Sequence, residues 1–360
     1  MSKTKILHII PMYTTGGAER LAWQYCKNLQ GEKYEMRCAN TVEDGELSAF
    51  FKESNIKIFI GSRSKDGGRF GVAKRLLKYV SSYQPKVIHT HLFGADLFGW
   101  YFKRKHKDKV IWISTQHNVE FDTSLLRRVI WKLILKKADK IIAVSENVKK
   151  YDEDKFKIKN NKLVLLKNGV ELDAWLKVPA NKFSNKKLRL ATVGRLEKQK
   201  GHTYLVKALA QLKDRDWQWH IYGQGTLESK LKKQIKKQEI DDRVIWHGVV
   251  DGMPKEYKNI DLVVQPSLWE GLSLVAMEAM VAGRVLVGTP WVVEALVKNK
   301  KNGLTIENKS VSSLVDTLRY CFENKKDLAS MGIEARKHAK ENFSLDKNIA
   351  KLEKIYQEFL

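Results

Sequence analysis

The 360-residue sequence has few cysteines, few acidic side chains for its many basic ones, and no long apolar run. Its cysteines, Cys26, Cys38 and Cys321, are odd in number and sit in no paired motif. That argues against a disulfide framework or a zinc knuckle and fits a reducing compartment, with each thiol expected as a small core residue. No apolar stretch approaches the roughly 18 residues a transmembrane helix needs. The opening MSKTKILHIIPMYTTGG breaks its short apolar run at a Gly-Gly turn and has no signal-type cleavage site. A soluble or peripheral, cytoplasmic protein is therefore expected. No short-period repeat or low-complexity segment is visible.

What is present is a globular composition with a large cationic surplus. Hydrophobic residues make up 43%, too many for general disorder, and the length suits about two domains. Lys plus Arg number 66 against 41 Asp plus Glu, a formal charge of +25. Residues 1–170 carry +16 of it and residues 171–360 only +9. Such a surplus implies an anionic partner: nucleic acid, a phosphorylated small molecule or a membrane surface.

Short β-branched runs alternate with amphipathic stretches. KILHIIPMY, KVIHTH, KVIWIST, KIIAVS and KLVLLKNG read as strands, separated by helical segments such as GAERLAWQYCKNL and SLLRRVIWKLILKKA. The rhythm pauses over GVELDAWLKVPANKFSNKK and resumes with LRLATVGR, WQWHIYG, RVIWHG, DLVVQPS and RVLVGT. The expectation is an α/β protein with two parallel-sheet lobes, 1–167 and 188–340, a linker at 168–187 and a closing segment at 341–360. That segment carries a stripe of Ile349, Leu352, Ile355 and Phe359 at helical spacing, which must dock on something.

Ligands of open α/β sheets sit beyond the carboxyl ends of the strands, so the strand-to-helix turns are where chemistry is sought. The first turn holds Thr15, Gly16 and Gly17 ahead of a helix N-terminus, where the backbone can approach an anion. Another holds Arg195 and Lys200, five residues apart after a strand that ends at Gly194; a fork of donors and a point charge suit a diphosphate. A third runs from Pro266 to Glu278. A helix starting near Ser273 offers amide groups at its N-terminus, and Glu270 and Glu278, eight apart, can grip hydroxyls at two points of one extended ligand. Gly223 follows a strand but lacks the third glycine of a dinucleotide fingerprint. His247, Gly248, Val249 and Val250 follow another and can line a base pocket. His117 ends a strand, either to donate to a sugar hydroxyl or shuttle a proton, or as a buried hydrogen-bonded residue. His89 and His91 share one strand face, with no third ligand at a metal-binding spacing.

In this order, GGAER, STQHN, ADKIIAVSE, NGV, GRLEKQKG, EGLSLVAMEAMVAG and NGLTIE resemble glycosyltransferase family four, with EGLSLVAME as its E-x7-E signature. The resemblance covers nearly the whole chain. It implies the GT-B fold: two Rossmann-like lobes facing across a cleft, the second holding a nucleotide-sugar donor (a UDP- or GDP-sugar), and a C-terminal helix crossing back to the first lobe. It further implies retaining transfer of a hexose to a glycan or lipid-linked acceptor, without a metal or other cofactor. By position, Arg195 and Lys200 would neutralise the donor diphosphate, and Gly271, Leu272 and Ser273 would touch phosphate and sugar through backbone N–H groups. Glu270 would hold sugar hydroxyls and Glu278 the ribose. Gly16 and Gly17 would face the donor phosphates and the acceptor, and His117 the donor sugar. One departure stands out: where the family often has a Gly-Gly turn after G-x-P-V-V-x-T, this chain places Trp291, Val292 and Val293.

Two rival classes accompany this reading. The same fold hosts sugar-nucleotide epimerases and hydrolases. Nucleic-acid binding has only the charge behind it, with no helix-turn-helix, RNP-like strand or zinc finger. The basic surplus is instead expected to serve a membrane surface or phosphorylated carrier. Residues 51–105 hold 12 basic and 3 acidic side chains interleaved with aromatics.

Overall fold

The structure, a computed structural model, describes residues 3–14, 16–106, 109–119 and 124–360. The chain forms two compact units, residues 1–168 with 347–360, and residues 169–346. In the first unit, consecutive residues Ile6 and Leu7, and again Ile9 and Ile10, are fully buried, so both faces of their strand are covered. Strands covered on both faces belong in a parallel sheet whose crossovers are helices.

Among the described residues, the first unit has seven strands: β1 (Thr4–Ile10), β2 (Tyr34–Asn40), β3 (Lys57–Phe59), β4 (Val87–His91), β5 (Ile111–Gln116), β6 (Lys140–Ala143) and β7 (Leu163–Leu165). Their order is β3-β2-β1-β4-β5-β6-β7, all parallel. The second unit has β8 (Leu188–Val193), β9 (Trp217–Tyr222), β10 (Val244–Gly248), β11 (Leu262–Gln265), β12 (Val285–Gly288) and β13 (Leu304–Thr305). These are ordered β10-β9-β8-β11-β12-β13, again parallel. Each sheet reverses its winding beside its first strand, between β1 and β4 and between β8 and β11.

Of the stretch 168–187, expected as a linker, all but Asn168 is packed into the second unit. Helix Leu172–Leu176 presents Trp175 edge-on to Tyr257 at 4.9 Å, and Phe183 joins the core. The closing helix, Leu345–Gln357, buries Ile349, Leu352 and Ile355 as its spacing requires. Its deepest aromatic ring is that of Tyr356, fully buried, whereas Phe359 is half-buried. Asn348 donates to Lys167 O at 2.5 Å and Lys140 pairs with Glu358 at 2.7 Å, so this end of the chain belongs to the first unit. All three cysteines are buried, and burial pushes their thiols up, out of the reactive range.

Asp96 is the polar pin of the first unit. On helix Leu92–His106 and fully buried, it accepts from Thr90 Oγ1 (2.5 Å), Ser114 Oγ (2.7 Å), Gln116 Nε2 (3.2 Å) and Trp131 Nε1 (2.7 Å). Burial raises its carboxyl, and those donors pull it back down. The bond to Trp131 ties helix Leu125–Leu135 to β4 and β5. Asp96→Asn would aim an amide donor into a ring of donors. It is expected to lower unfolding stability by about 2 kcal/mol, seen as an earlier urea midpoint; an unchanged midpoint would refute the role.

Candidate active site

The reversal between β8 and β11 sets two loops side by side in the second unit. β8 leads through Gly194 and Arg195 into a 3₁₀ turn, Lys198–Lys200, then into helix His202–Ala210. Gly201 joins turn to helix with φ +65°, and a Cβ there would lie 2.0 Å from Pro266 O, so glycine lets this loop touch the one after β11. Leu268 N donates to Gln199 O (2.7 Å), Gln199 Nε2 to Trp269 O (3.0 Å) and Thr289 Oγ1 to Ser267 O (2.6 Å). The loop before the second helix is thus tied on two sides.

That tethering brings Lys200 against Glu270. The ammonium and Oε1 are 2.5 Å apart, with side chains 17% and 10% exposed, and Ser267 Oγ donates to the same oxygen at 3.2 Å. Arg195 is exposed and has no ion pair or side-chain hydrogen bond among the described residues. Ser273 caps helix Leu274–Val281: its Oγ accepts from Ala276 N (3.2 Å) and donates to Gln265 Oε1 (2.9 Å). The amides of Gly271 and Ser273 donate to no group among the described residues, so they stand at the helix start as donors for an anion. Leu272 is buried between them. Glu278 lies within that helix, 7% exposed, and its charge adds to burial in pushing the Tyr257 hydroxyl up.

Gly223 has a structural reason of its own. With φ +125°, a Cβ there would sit 2.1 Å from Gly194 O, so glycine is needed where β8 and β9 end together. Gly223 N also donates to Gly248 O at 2.6 Å, placing the exposed Val249 beside it. Trp291, Val292 and Val293 form one helical turn, Pro290–Val293, instead of a Gly-Gly turn. Val292 and Val293 are buried, filling the space beside Gly288.

In the first unit, Gly16 precedes helix Gly17–Leu29 at φ −67°, an ordinary backbone angle. A Cβ there would meet only the Glu19 carboxylate, the movable end of a flexible side chain, so neither backbone angle nor space demands glycine. Gly17 is exposed, and Thr15 lies outside the described residues. At the neighbouring strand ends, His117 joins a histidine cluster. His91 Nδ1 is 2.8 Å from His117 Nε2, and His91 Nε2 is 3.0 Å from His8 Nδ1. Tyr356 Oη lies 3.1 Å from His8 Nε2 and 2.7 Å from His89 Nδ1, and His89 Nε2 lies 2.6 Å from Thr115 Oγ1. The β1–β4 register pairs His8 with His89 directly, which the sequence pattern alone did not reveal. Ring nitrogens of His8, His89 and His91 lie within 4.8 Å of one another, close enough for a metal, yet each ring nitrogen already has a hydrogen-bond partner.

Burial lowers His8 and His117 to about 3 and His202 to about 4, and takes His89 and His91 well below the usual value. These rings are neutral when folded and titrate near 6.5 when unfolded. Their stability contribution is therefore complete above pH 6.5 and falls as pH drops toward the folded values. The expected loss approaches 1.4 kcal/mol for each such histidine per pH unit below about 6.5. Urea melts at pH 7.5 and 5.0 check it, and equal stability at both would contradict neutral rings.

The comparisons with known proteins bear on the family and the fold. The model described as "Glycosyltransferase Family 4" matches residues 15–174, and "Glycosyl transferases group 1" matches residues 173–338. The chain belongs to the family-four, group 1 type of glycosyltransferases, and its fold is GT-B. An uncharacterized glycosyltransferase of Haemophilus influenzae is 26% identical over 95% of this chain and 96% of its own length. The UDP-Gal:α-D-GlcNAc-diphosphoundecaprenol α-1,3-galactosyltransferase of Escherichia coli is 24% identical over 99% of this chain and 97% of its own. Among solved structures, Anabaena HepE in complex with UDP and glucose superposes with TM-score 0.88 at 18% identity, covering 99% of this chain and 100% of that one.

Proposed function

We propose that this glycosyltransferase is a retaining, metal-independent hexosyltransferase. It takes a hexose from a nucleoside-diphosphate sugar and delivers it to a glycan or polyprenyl-linked acceptor in cell-surface polysaccharide or glycolipid synthesis. The observation that carries this is the Lys200–Glu270 pair at the β8–β11 reversal, with the unpaired Arg195 beside it on the same loop. A donor diphosphate draws Lys200 away from Glu270 and takes the Arg195 fork. Glu270, released, accepts from sugar hydroxyls, while Glu278 does the same for the ribose. The amides of Gly271, Leu272 and Ser273 meet phosphate and sugar; Gly223 and Val249 border the nucleoside. In the first unit, Gly16 and Gly17 serve the donor phosphates and acceptor, and His117 the sugar.

As the bond from the sugar C1 to the phosphate oxygen breaks, negative charge grows on the leaving diphosphate, and Arg195, Lys200 and the helix N-terminus stabilise it. The acceptor hydroxyl attacks C1 from the face being vacated, its proton passes to the leaving phosphate oxygen, and configuration is retained. The Escherichia coli relative supports a UDP-sugar and a lipid-diphosphate acceptor, since its name states both.

Arg195→Ala, Lys200→Ala and Glu270→Ala are each expected to lower kcat about 100-fold. Wild-type transfer by all three would remove the site assignment. A thermal-shift panel of UDP-, GDP- and ADP-sugars identifies the base: a donor at 100 times its Kd adds about 2.7 kcal/mol. A donor altered without any acceptor would favour an epimerase or hydrolase instead.

A specific surface favours an anionic membrane as a further partner. Helix Leu125–Leu135 buries Trp131, Ile134 and Leu135 but leaves Leu125 and Leu126 70% exposed, Leu133 60% and Val129 46%. Arg128, Lys132, Lys136 and Lys137 flank that face. Apolar side chains rimmed by cations suit an anionic lipid surface, each cation adding about 1 kcal/mol. No helix among the described residues is long and apolar enough to cross a membrane. Binding is expected to phosphatidylglycerol vesicles, weakening with salt, and not to phosphatidylcholine. Leu126→Glu should weaken it about tenfold with no loss of stability; equal affinity for both vesicle types, or for neither, would remove this surface from the account.

A further inference from the structure

We infer that a buried hydrogen-bonded chain, starting at Thr115 and passing through Tyr356 of the closing helix, fixes the tautomer of His117. It leaves His117 a neutral N–H donor, aimed outward from Nδ1. The links run Thr115 Oγ1, His89, Tyr356 Oη, His8, His91 and His117, at 2.6, 2.7, 3.1, 3.0 and 2.8 Å. Every ring nitrogen of His8, His89 and His91 is used once, so exchanging nitrogen for carbon in any of those rings would break the chain.

If every member donates its one proton along the chain, only two directions are consistent; Tyr356 Oη accepting from both His89 and His8 would leave its own buried proton without an acceptor among the described residues. The end groups choose between them. Thr115 is buried, and its hydroxyl meets no acceptor other than His89 Nε2 among the described residues. If His89 donated instead, the Thr115 proton would be buried without a partner, at the full desolvation cost. Thr115 therefore donates. His89 Nδ1–H then donates to Tyr356 Oη, whose proton goes to His8 Nε2. His8 Nδ1–H donates to His91 Nε2, and His91 Nδ1–H to His117 Nε2. The His117 proton must lie on Nδ1.

Two observations at the far end agree. His117 is half-buried, and its Nδ1 is the ring nitrogen of the four histidines that meets no partner among the described residues. Tyr356 remains protonated, since burial raises its hydroxyl well above the usual value. With Nε2 already accepting and Nδ1 protonated, His117 has no bare nitrogen for the acceptor's proton. It can grip a ligand oxygen, and the proton must go to the leaving group. Thr115, His89, Tyr356, His8 and His91 are positioning residues for it.

The test uses the full chain with ¹⁵N-labelled histidine and long-range ¹H–¹⁵N correlation at pH 7.5, with each ring assigned by its own His→Asn variant. Neutral rings protonated at Nδ1 are expected for all four. Thr115→Val removes the donor that sets the direction, and Tyr356→Phe interrupts the chain. In each, His117 should gain the Nε2–H form, with kcat/KM down about tenfold. Thr115→Ser should restore both readouts, which a merely structural loss would not. Nε2–H at His117 in the wild type, an unmoved tautomer in well-folded Thr115→Val, or a stoichiometric metal ion on His8, His89 and His91 would each overturn the inference. The sugar contact rests on the proposed function. A tautomer that moves as expected while transfer stays unchanged upholds the chain and overturns that contact.

Discussion

A parallel sheet whose strand order reverses must send two crossover helices apart from adjacent strands, and the space between them cannot be filled by the sheet. Most of what this protein can do chemically depends on that constraint. In the second unit the reversal lies between β8 and β11. It sets a cationic loop beside one that ends in a helix N-terminus. Lys200 and Glu270 are 70 residues apart in sequence and make an ion pair only because these two strands are neighbours. In the first unit the reversal between β1 and β4 puts His8 in register with His89. Each unit thus places a cluster of polar side chains at its reversal.

The alternation of strand and helix was legible because central strands buried on both faces read as unbroken apolar runs. β2 was not: YEMRCAN interleaves Glu35 and Arg37, both half-buried, with its five buried positions, since that strand lies one place in from the sheet edge. The segment 168–187 reads as polar, yet Trp175 and Phe183 anchor it. Two buried aromatics in 20 residues leave no periodic signal. Arg195, Lys200 and Glu270 could be found because their loops follow recognisable strands. The role of Gly223 was harder to see. Its glycine is needed first for the meeting of two strand ends, a constraint that only register reveals. The histidine chain was half visible: His89 and His91 share a strand face by simple alternation, whereas His8 and Tyr356 enter through pairing and docking over 80 and 260 residues away in sequence.

The diphosphate site proposed for the second unit draws on two cations, so most of the +25 surplus serves something else. Much of it belongs to the first unit, where helix Leu125–Leu135 combines an exposed apolar face with flanking cations. Asp96, holding Trp131 from below, keeps that helix seated while its outer face remains available.

Tyr356 has a consequence for how the molecule is made. It belongs to the core of the first unit but is synthesised after the whole of the second. The unit whose strands emerge first is therefore the last to be completed. Until residues 347–360 leave the ribosome, His8 and His89 lack the hydroxyl between them. The second unit, residues 169–346, draws on no later sequence, so the first unit gains its last element only after the second has been made.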